Sequence, residues 1–297
     1  MTAKISIIIP TYNHSKFVCQ AVESALAQTL PAYEIIVVDD GSTDETTEVL
    51  AKYKTQICYV KQENQGVSAA RNNGVNTASG DFVAFLDADD IWFPQKLEWQ
   101  IKKFTEEKEL GLVHCGYIDI DENGDFLQEH IDGMAGWVAE EMLFFKRPVI
   151  LGGGSGSFIP KKVFQEVGGF DLRLSTSADW DLYFRIAQKW QIGFVPKILL
   201  KYRLHSSNMH GNIKTMQDDM LLAYYKAFNN KDNIALQKIR RYAYSRLHSV
   251  LAGSFYTVGQ YKEIFPHLLQ SIALHPQNLF DFVKFPVRLV RKVFYKK

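Results

Sequence analysis

The sequence predicts an α/β fold: a single, mostly parallel sheet flanked by helices, with a helical extension at the C-terminus. Short apolar runs rich in β-branched residues alternate with segments of helical periodicity as far as Leu200. The connections between them are short, which favours right-handed βαβ units. From about Ser206 long helical segments follow, so we predict a domain of residues 1–210 and a helical region of residues 211–297.

Each predicted strand is an apolar run bounded by turn residues. In chain order these runs are Ile5–Ile9, Ile35–Val38, Ile57–Val60, Phe82–Leu86, Gly111–Ile120 and Ile192–Leu200. The run Phe82–Leu86, for example, is too short for a helix of its own. Six such runs separated by helical segments therefore predict one sheet.

The predicted helices carry start signals. Ser42 and Glu45 have the spacing of a capping box, and Pro94 suits the first turn of a helix. Other helices are expected near residues 14–29, 67–78, 137–145 and 160–167 and from about Asp179 onward. The glycines of residues 152–156 predict a loop that a substrate can approach closely, or else a plain linker.

Three carboxylates, Asp87, Asp89 and Asp90, follow the strand Phe82–Leu86. In an open parallel sheet, ligands bind outside the carboxyl ends of the strands. Carboxylates this close repel one another unless a cation neutralises them, and Mg²⁺ typically takes one or two carboxylates together with substrate phosphates. The cluster therefore indicates a metal site, with a solvated acidic turn as the alternative.

The turns after the first two strands show which kinds of nucleotide-binding site are excluded and which residues could bind a nucleotide. A dinucleotide-binding fold would show G-x-G-x-x-G after its first strand, and a P-loop would show G-x-x-x-x-G-K-[ST]. This chain has neither and shows Pro10-Thr11-Tyr12-Asn13 instead. Asp39 and Asp40 end the second strand, where a carboxylate can accept hydrogen bonds from a base or a ribose. Helix capping is the alternative for this pair.

A second acidic pair, Asp179 and Asp181, stands at the start of a predicted helix. Carboxylates in the first turn suit the helix dipole. The functional alternative is a general base at the mouth of the site, since a base must lie close to the hydroxyl that it deprotonates.

Composition excludes several classes of protein. The net charge of +1 gives no overall reason to expect nucleic-acid binding, and no apolar stretch approaches the ~18 residues of a membrane span. The N-terminus lacks a signal-peptide pattern. Cys19, Cys58 and Cys115 have no metal-ligand spacing, so we expect buried reduced thiols. These features predict a cytoplasmic protein.

Several motifs, in this order, resemble the family 2 glycosyltransferases with the Rossmann-like GT-A fold. They are Ile9-Pro10-Thr11-Tyr12-Asn13, Val38-Asp39-Asp40-Gly41-Ser42-Thr43-Asp44, Asn64-x-Gly66, Ala70-Arg71-Asn72-x-Gly74, Gly80-Asp81, Asp87-Ala88-Asp89-Asp90, Gly168-Gly169-Phe170-Asp171 and Asp179-Trp180-Asp181. The resemblance covers roughly residues 3–205 and gives no information about the rest of the chain.

The resemblance implies a role for each matching residue. Those expected to contact the donor nucleotide are Pro10, Thr11, Tyr12, Asp40 (or, as the lesser alternative, Asp39), Arg71, Asp87 and Ala88. Asp89, with His205, is expected to hold a divalent metal, Mn²⁺ or Mg²⁺. Asp179 matches the catalytic base of the family. The chain departs from the family pattern at Ala178, where an acidic residue is usual, and this keeps Asp181 as the alternative base.

The resemblance also implies the reaction. The expected enzyme is an inverting transferase that moves a sugar from a nucleotide-sugar donor, with UDP as the expected nucleotide, to a hydroxyl of a glycan or a lipid-linked acceptor in cell-surface polysaccharide synthesis. Two alternatives are a nucleotidyltransferase and a nucleotide-sugar-binding module without catalysis. The first usually needs a Gly-rich phosphate loop after the first strand, which is absent, and the second conflicts with the presence of the acidic residues assigned to the donor, the metal and the base.

The last residues form a separate pattern. After Pro286, Val287, Leu289, Val290, Val293 and Phe294 fall on one side of a helical wheel, and Arg288, Arg291, Lys292 and Lys296 fall on the other. Such a segment is typical of a helix lying on an anionic membrane surface, which here means the inner face of the membrane. Docking on the protein's own core is the alternative.

Overall fold

The computed structural model describes residues 3–205, 212–229 and 234–283. The basic C-terminal segment after Pro286 lies outside these residues. The chain divides into two units by its internal contacts. Unit 1 comprises Met1–Ala139 and Arg147–Asp219, and unit 2 comprises Glu140–Lys146 and Met220–Lys297.

Unit 1 contains a nine-stranded sheet in the order β3-β2-β1-β4-β8-β6-β9-β5, with β7 paired to β6. The strands are β1 Ile5–Thr11, β2 Glu34–Asp39, β3 Cys58–Lys61, β4 Phe82–Phe85, β5 Ile91–Trp92, β6 Leu110–Ile120, β7 Phe126–His130, β8 Phe158–Pro160 and β9 Gln191–Arg203. The parallel pairs are β1 with β2 and β4, β2 with β3, and β6 with β9. The short strands β5, β7 and β8 run antiparallel to their neighbours.

The helices, in chain order, are α1 Val18–Leu26, α2 Thr46–Leu50, α3 Val67–Thr77, α4 Lys96–Glu106, α5 Ala139–Phe144, α6 Gly153–Gly156, α7 Lys161–Glu166, α8 Ala178–Ala187, α9 Ile213–Asn229, α10 Ile234–Thr257, α11 Tyr261–Leu274 and α12 Asn278–Val283. No helix within the described ranges is long and apolar enough to cross a bilayer. Helices α9–α12 form the helical extension that the sequence predicts beyond residue 210.

The central strand β1 is buried along its whole length. Burial on both faces is the normal state of a strand in the middle of a parallel sheet, and it explains the uninterrupted apolar run Ile5–Ile9. Helix α3 approaches this strand closely at Gly74, where an added Cβ would lie 2.4 Å from Ile8 Cγ2. The same helix carries Arg71, one turn before Gly74.

The α/β architecture and the six predicted strands confirm the predictions, and four details correct them. The sequence does not predict β5 or β8, which have only two and three residues, or β7, which is exposed at four of its five positions and so lacks a buried apolar run. The glycine segment expected as a loop forms the helical turn α6. Cys58 is exposed, because it lies on the edge strand β3, whereas Cys19 is half-buried and Cys115 buried.

The fourth correction concerns the start of α2. The predicted capping box is wrong, since α2 begins at Thr46 without a side-chain cap. Ser42 Oγ instead accepts a hydrogen bond from the Asn13 N–H at 3.0 Å. A tertiary contact between two loops therefore uses the hydroxyl that the spacing assigned to a helix terminus.

Helices α10 and α11 of unit 2 pack against each other through a polar strip. Ser271 Oγ donates to Ser245 O at 2.9 Å, and Asn278 Nδ2 donates to Ser271 Oγ at 2.7 Å. His267 stacks on Phe255, with 5.5 Å between ring centroids. Because these groups are satisfied within the unit, one face of α11 is committed to this packing.

Candidate active site

The loops after β1 and β2 are joined by hydrogen bonds at the carboxyl edge of the sheet. Asn13 has a φ of 56°, a conformation that Asn tolerates better than most residues. Its Oδ1 accepts the Thr43 N–H at 2.8 Å, and the Asp44 carboxylate accepts the Ser15 N–H at 3.0 Å. These hydrogen bonds therefore hold the two loops together at the carboxyl edge of the sheet.

Asp40 lies at this edge and is almost fully buried. Its Oδ1 accepts from Gln62 Nε2 at 2.7 Å and from the Gln65 N–H at 2.9 Å, and its Oδ2 accepts from the Gly66 N–H at 2.8 Å. These bonds fix the loop between β3 and α3. The role of Asp40 in binding a base remains a prediction, and its oxygens already have three partners within the protein.

Asp39, the lesser alternative to Asp40 for contacting the donor nucleotide, is buried, and its carboxylate bonds to other protein groups. Oδ1 accepts the Ser42 N–H at 2.8 Å, and Oδ2 accepts the hydroxyl of Tyr59 at 2.5 Å. Burial opposes the charge, but the hydrogen bonds from Ser42 and Tyr59 outweigh it and lower the pKa of Asp39. The carboxylate is therefore held ionised inside the protein rather than presented to a ligand.

The glycine turn α6 leaves a space beside Asp179, Arg71 and Asp87, which we call the cleft. Pro10, Thr11 and Tyr12 lie at the carboxyl end of β1. Pro10 and Thr11 are buried, and Tyr12 is 44% exposed. Among the described residues, the buried Thr11 Oγ1 has no hydrogen-bond partner. An unpaired buried hydroxyl costs about 1–3 kcal/mol, which a bound polar ligand would recover.

Arg71 and Asp87 form a pair beneath the cleft. Arg71 Nη2 donates to Asp87 Oδ1 at 2.5 Å, and the guanidinium lies 5.2 Å from the centre of the Phe170 ring. Burial disfavours the cation, but the Asp87 and Asp179 carboxylates outweigh burial and raise the pKa of Arg71. Arg71 Nε is buried, and no protein group in the described part of the chain accepts its hydrogen bond.

Asp90 is the buried member of the acidic cluster. Its Oδ2 accepts from Ser155 Oγ at 2.5 Å, and its Oδ1 accepts the Arg203 N–H at 3.0 Å. Burial and the neighbouring Asp89 and Asp87 raise the pKa of Asp90 well above its usual value. Asp90 therefore organises the loop from within, whereas the side chains of Asp87 and Asp89 keep 25% and 15% of their surface exposed. Ala88 is buried, so only its backbone is available to a ligand.

The sequence prediction missed Ser155. Its Oγ accepts the Asp87 N–H at 2.9 Å while donating to Asp90, and its carbonyl accepts from Trp92 Nε1 at 2.9 Å. The residue is fully buried. A single serine within a glycine run was the available signal, because glycine alone would suffice for a linker.

Asp89 and His205, which the sequence analysis assigns to a metal site, lie side by side. His205 Nε2 lies 2.9 Å from Asp89 Oδ2, with side chains 4% and 15% exposed, and the imidazole stacks on Phe17 at 5.2 Å. Arg203, which the sequence prediction also missed, donates from Nε to Asp89 O at 2.9 Å. Asp89 is thereby held from its backbone and from its side chain.

The donor set fits a cation that relies on its substrate for most of its ligands. No group of three or more His, Cys, Asp or Glu side chains in the described residues could hold a metal. Asp89 and His205 nevertheless supply a carboxylate oxygen and an imidazole nitrogen at one point. Mg²⁺ typically accepts one or two carboxylates and takes its other ligands from phosphates and water.

Asp179 and Asp181 lie in the first turn of α8 and have different surroundings. Asp179 is half-buried, and its Oδ1 accepts the Trp180 N–H at 2.7 Å. Asp181 is buried, and its Oδ2 accepts from Arg185 Nε at 2.9 Å and from Arg185 Nη2 at 2.7 Å. The ion pair explains Asp181 as a structural residue, whereas Asp179 faces the cleft.

The turn α6 lies close to Asp179 through Gly153 and close to Arg71 and Asp87 through Gly154. A Cβ on Gly153 would lie 3.5 Å from Asp179 Oδ2, and a Cβ on Gly154 would lie 2.7 Å from Arg71 Nη2 and 3.2 Å from Asp87 Oδ2. Tyr183 holds this turn by donating its hydroxyl to Gly153 O at 2.8 Å. The glycines therefore allow Asp179, Arg71 and Asp87 to gather around one space.

Tyr202 is a further residue that the sequence prediction did not single out. It precedes Arg203 at the end of β9, and its ring lies 5.9 Å from that of Tyr117 in an edge-on contact. Burial and the carboxylates of Asp90, Asp87, Asp89 and Asp179 all raise the pKa of Tyr202. The phenol therefore stays neutral and can donate a hydrogen bond among four carboxylates.

The sequence profile described as Glycosyl transferase family 2 matches residues 6–168, more than half of the chain. The chain belongs to this family. An uncharacterised glycosyltransferase of Rickettsia prowazekii (strain Madrid E) is 33% identical over 239 residues, which are 78% of this chain and 75% of the relative. The chondroitin synthase of Escherichia coli is 27% identical over 246 residues, which are 82% of this chain but only 34% of that protein.

Solved structures of two proteins share the architecture of this family 2 chain. Residues 1–349 of Staphylococcus aureus TarS, in complex with UDP-GlcNAc, give a TM-score of 0.67 at 18% identity, over 91% of this chain and 81% of that TarS fragment. The mannosyltransferase PcManGT of Pyrobaculum calidifontis, in complex with GDP-Man and Mn²⁺, gives 0.64 at 17% identity, over 100% and 89%. These likenesses confirm the expected GT-A fold.

Proposed function

We propose that this family 2 chain transfers a sugar from a UDP-sugar to a hydroxyl of a glycan or lipid-linked acceptor, with inversion at the anomeric carbon. One observation carries the proposal. Of the three buried side-chain polar atoms without a hydrogen-bond partner in the described residues, two are Thr11 Oγ1 and Arg71 Nε. Both residues were predicted to contact the donor nucleotide, and buried polar groups are rarely left unpaired without a reason.

The residues around α6 divide the work of transfer. Arg71, held in place by Asp87, would bind the donor from below and offset negative charge that develops on the leaving diphosphate. Asp179 would accept the proton of the acceptor hydroxyl as its oxygen attacks the anomeric carbon. The bond from that carbon to the diphosphate breaks on the opposite face, so no covalent sugar–enzyme intermediate is needed.

Asp89 and His205 would hold a divalent cation, Mn²⁺ or Mg²⁺, against the diphosphate. Such an ion supplies Lewis-acid stabilisation of the leaving group. The PcManGT complex, which has the same fold, contains Mn²⁺, and this supports the proposal of a metal here. Tyr12 and Thr11 would border the nucleoside, together with Pro10 and Asp40.

The acceptor and the location of the protein are proposed from chemistry. A lipid-linked acceptor of cell-surface polysaccharide synthesis would lie at the inner face of the membrane. The basic segment after Pro286 would bring the enzyme to that surface, because Lys and Arg near an anionic leaflet each contribute about 1 kcal/mol. We therefore propose a cytoplasmic enzyme in peripheral contact with anionic lipid.

Calorimetric titration with UDP, with and without Mn²⁺, tests the donor site. We expect Mn²⁺ to strengthen UDP binding by the unaltered protein and to have no effect on Asp89→Ala, because that change removes a carboxylate ligand. Asp132→Ala removes an exposed carboxylate and serves as the control. Equal enhancement by Mn²⁺ in Asp89→Ala and the unaltered protein would contradict the metal assignment.

A panel of nucleotide sugars, scored by release of nucleoside diphosphate, identifies the donor. The configuration of the product, read by NMR, decides between inversion and retention. Tight UDP binding without turnover of any nucleotide sugar, even when glycan and lipid-linked acceptors are supplied, would favour a binding module over an enzyme.

A further inference from the structure

Helices α11 and α12 present large apolar side chains to solvent. Tyr261, Phe265 and Leu269 recur every four residues on one side of α11 and are 59%, 67% and 69% exposed. Leu279 and Phe280 on α12 are 49% and 67% exposed. We call these five residues the α11–α12 apolar face. Large apolar side chains exposed at neighbouring positions of a helix are typical of interaction sites.

The fold of unit 2 does not need this face. Helix α11 packs on α10 through a different side, where His267 and Ser271 are buried. His267 stacks on Phe255, and Ser271 is bonded to Ser245. Tyr261 also touches α10, since its ring lies 5.8 Å edge-on from that of Tyr256. Phe265, Leu269, Leu279 and Phe280 therefore require an explanation other than the packing of their own helices.

The charge of the surrounding sequence indicates the chemistry of the partner. From Ile234 to the C-terminus there are eleven Lys or Arg and two Asp or Glu, a net charge of +9, whereas residues 1–233 carry a net charge of −8. Helix α10 contains Lys238, Arg240, Arg241 and Arg246 and no acidic residue. The positive charge and the exposed apolar side chains belong to the same unit, which suits a partner that is both anionic and apolar.

We propose that the α11–α12 apolar face inserts into the surface of an anionic lipid bilayer. Aromatic and leucine side chains enter the boundary between headgroups and acyl chains, and the basic residues remain at the headgroups. A nucleic acid fits less well, because Leu269 and Leu279 cannot stack on bases as aromatic side chains do. The inference deepens the membrane contact proposed above and adds residues to it that lie outside the basic tail.

Co-sedimentation of the full-length protein with vesicles tests this face. The vesicles contain phosphatidylcholine with about 30% phosphatidylglycerol, and pure phosphatidylcholine vesicles serve for comparison. We expect the double variant Phe265→Asp, Leu269→Asp to bind anionic vesicles at least about tenfold more weakly than the unaltered protein, because charged groups replace apolar ones in the bilayer surface. Circular dichroism should show unchanged folding, since both side chains are mostly exposed.

The control is a second double variant, Phe126→Asp, Leu172→Asp. These side chains are 62% and 64% exposed, but they belong to unit 1. Binding equal to that of the unaltered protein is expected. A further variant, Arg291→Glu, Lys292→Glu, separates attraction by the tail from insertion of the face, because only attraction by charge weakens strongly with salt.

The proposal is overturned if the unaltered protein does not bind anionic vesicles, or if Phe265→Asp, Leu269→Asp binds them as well as the control does. A change of molar mass in that variant, measured by light scattering without any vesicle binding, would assign the face to contacts between copies of the chain. Vesicle binding does not depend on turnover, so these results stand apart from any failure of the transferase proposal.

Discussion

Asp179 and Asp181 stand two residues apart, and their substitution should separate catalysis from stability. In Asp181→Asn, the buried carboxylate that accepts two hydrogen bonds from Arg185 loses its charge. Breaking a buried ion pair costs about 3–5 kcal/mol. Arg185 also donates to Val167 O and Gly169 O, and the Asn oxygen still accepts a bond, so we expect a loss of about 2–3 kcal/mol in the free energy of unfolding.

Asp179→Asn should have the opposite profile. Its side chain is half-buried at the cleft, and an amide oxygen can still accept the Trp180 N–H. We expect stability within about 1 kcal/mol of the unaltered protein, donor binding unchanged, and turnover reduced by about 10²–10⁴, the usual contribution of a general base.

Urea unfolding measures the first quantity, and UDP release from the donor found in the nucleotide-sugar panel measures the second. Measurements of turnover at a temperature where both variants are folded keep the two effects apart. If Asp181→Asn loses turnover with unchanged stability while Asp179→Asn keeps its turnover, the assignment of the base is refuted.

Two further substitutions test the hydrogen bonds of Ser155, which support the site, and the cost of burying Lys96. Ser155→Ala should lower the free energy of unfolding by about 2–4 kcal/mol and weaken UDP binding, because it leaves the Asp87 N–H and the Asp90 carboxyl without the hydroxyl that joins them; calorimetry showing normal UDP affinity would contradict the second part. Lys96 is fully buried, and burial lowers its pKa to about 8. Because the unfolded chain binds this proton up to about pH 10.5, the native state is penalised by about 3 kcal/mol below pH 8 and by progressively less as the pH rises to 10.5. Lys96→Met should therefore be the more stable protein in urea at pH 7, with the difference shrinking above pH 8, and a difference independent of pH would refute this reading.

Uninterrupted apolar runs in the sequence predicted the buried strands correctly. Strands such as Ile5–Ile9 and Phe82–Leu86 were predicted because burial on both faces leaves an uninterrupted apolar run. The predictions of a helix cap and of cysteine burial were wrong, because contacts and positions in the folded sheet decided them rather than the local sequence. Ser42 supports Asn13 instead of capping α2, and Cys58 is exposed because β3 is the edge of the sheet.

The motifs identified the chemical groups of the site but not how each is used. The spacing of Asp87, Asp89 and Asp90 does not distinguish them, yet Asp90 is buried against Ser155, Asp87 pairs with Arg71 and Asp89 meets His205. The difference arises from long-range contacts, in which the partners lie 16 to 116 residues away along the chain. No local pattern encodes such distances.

The sequence by itself determined the α/β class, the family and the positions of the acidic clusters, because apolar periodicity and short motifs depend on neighbouring residues alone. Only the tertiary structure decided that Asp181 is neutralised by Arg185, that Gly153 and Gly154 let Asp179 approach Arg71 and Asp87, and that Thr11 Oγ1 and Arg71 Nε are buried without a partner. Burial and pairing depend on which distant segments the fold brings together, and they set the chemistry that each side chain can perform.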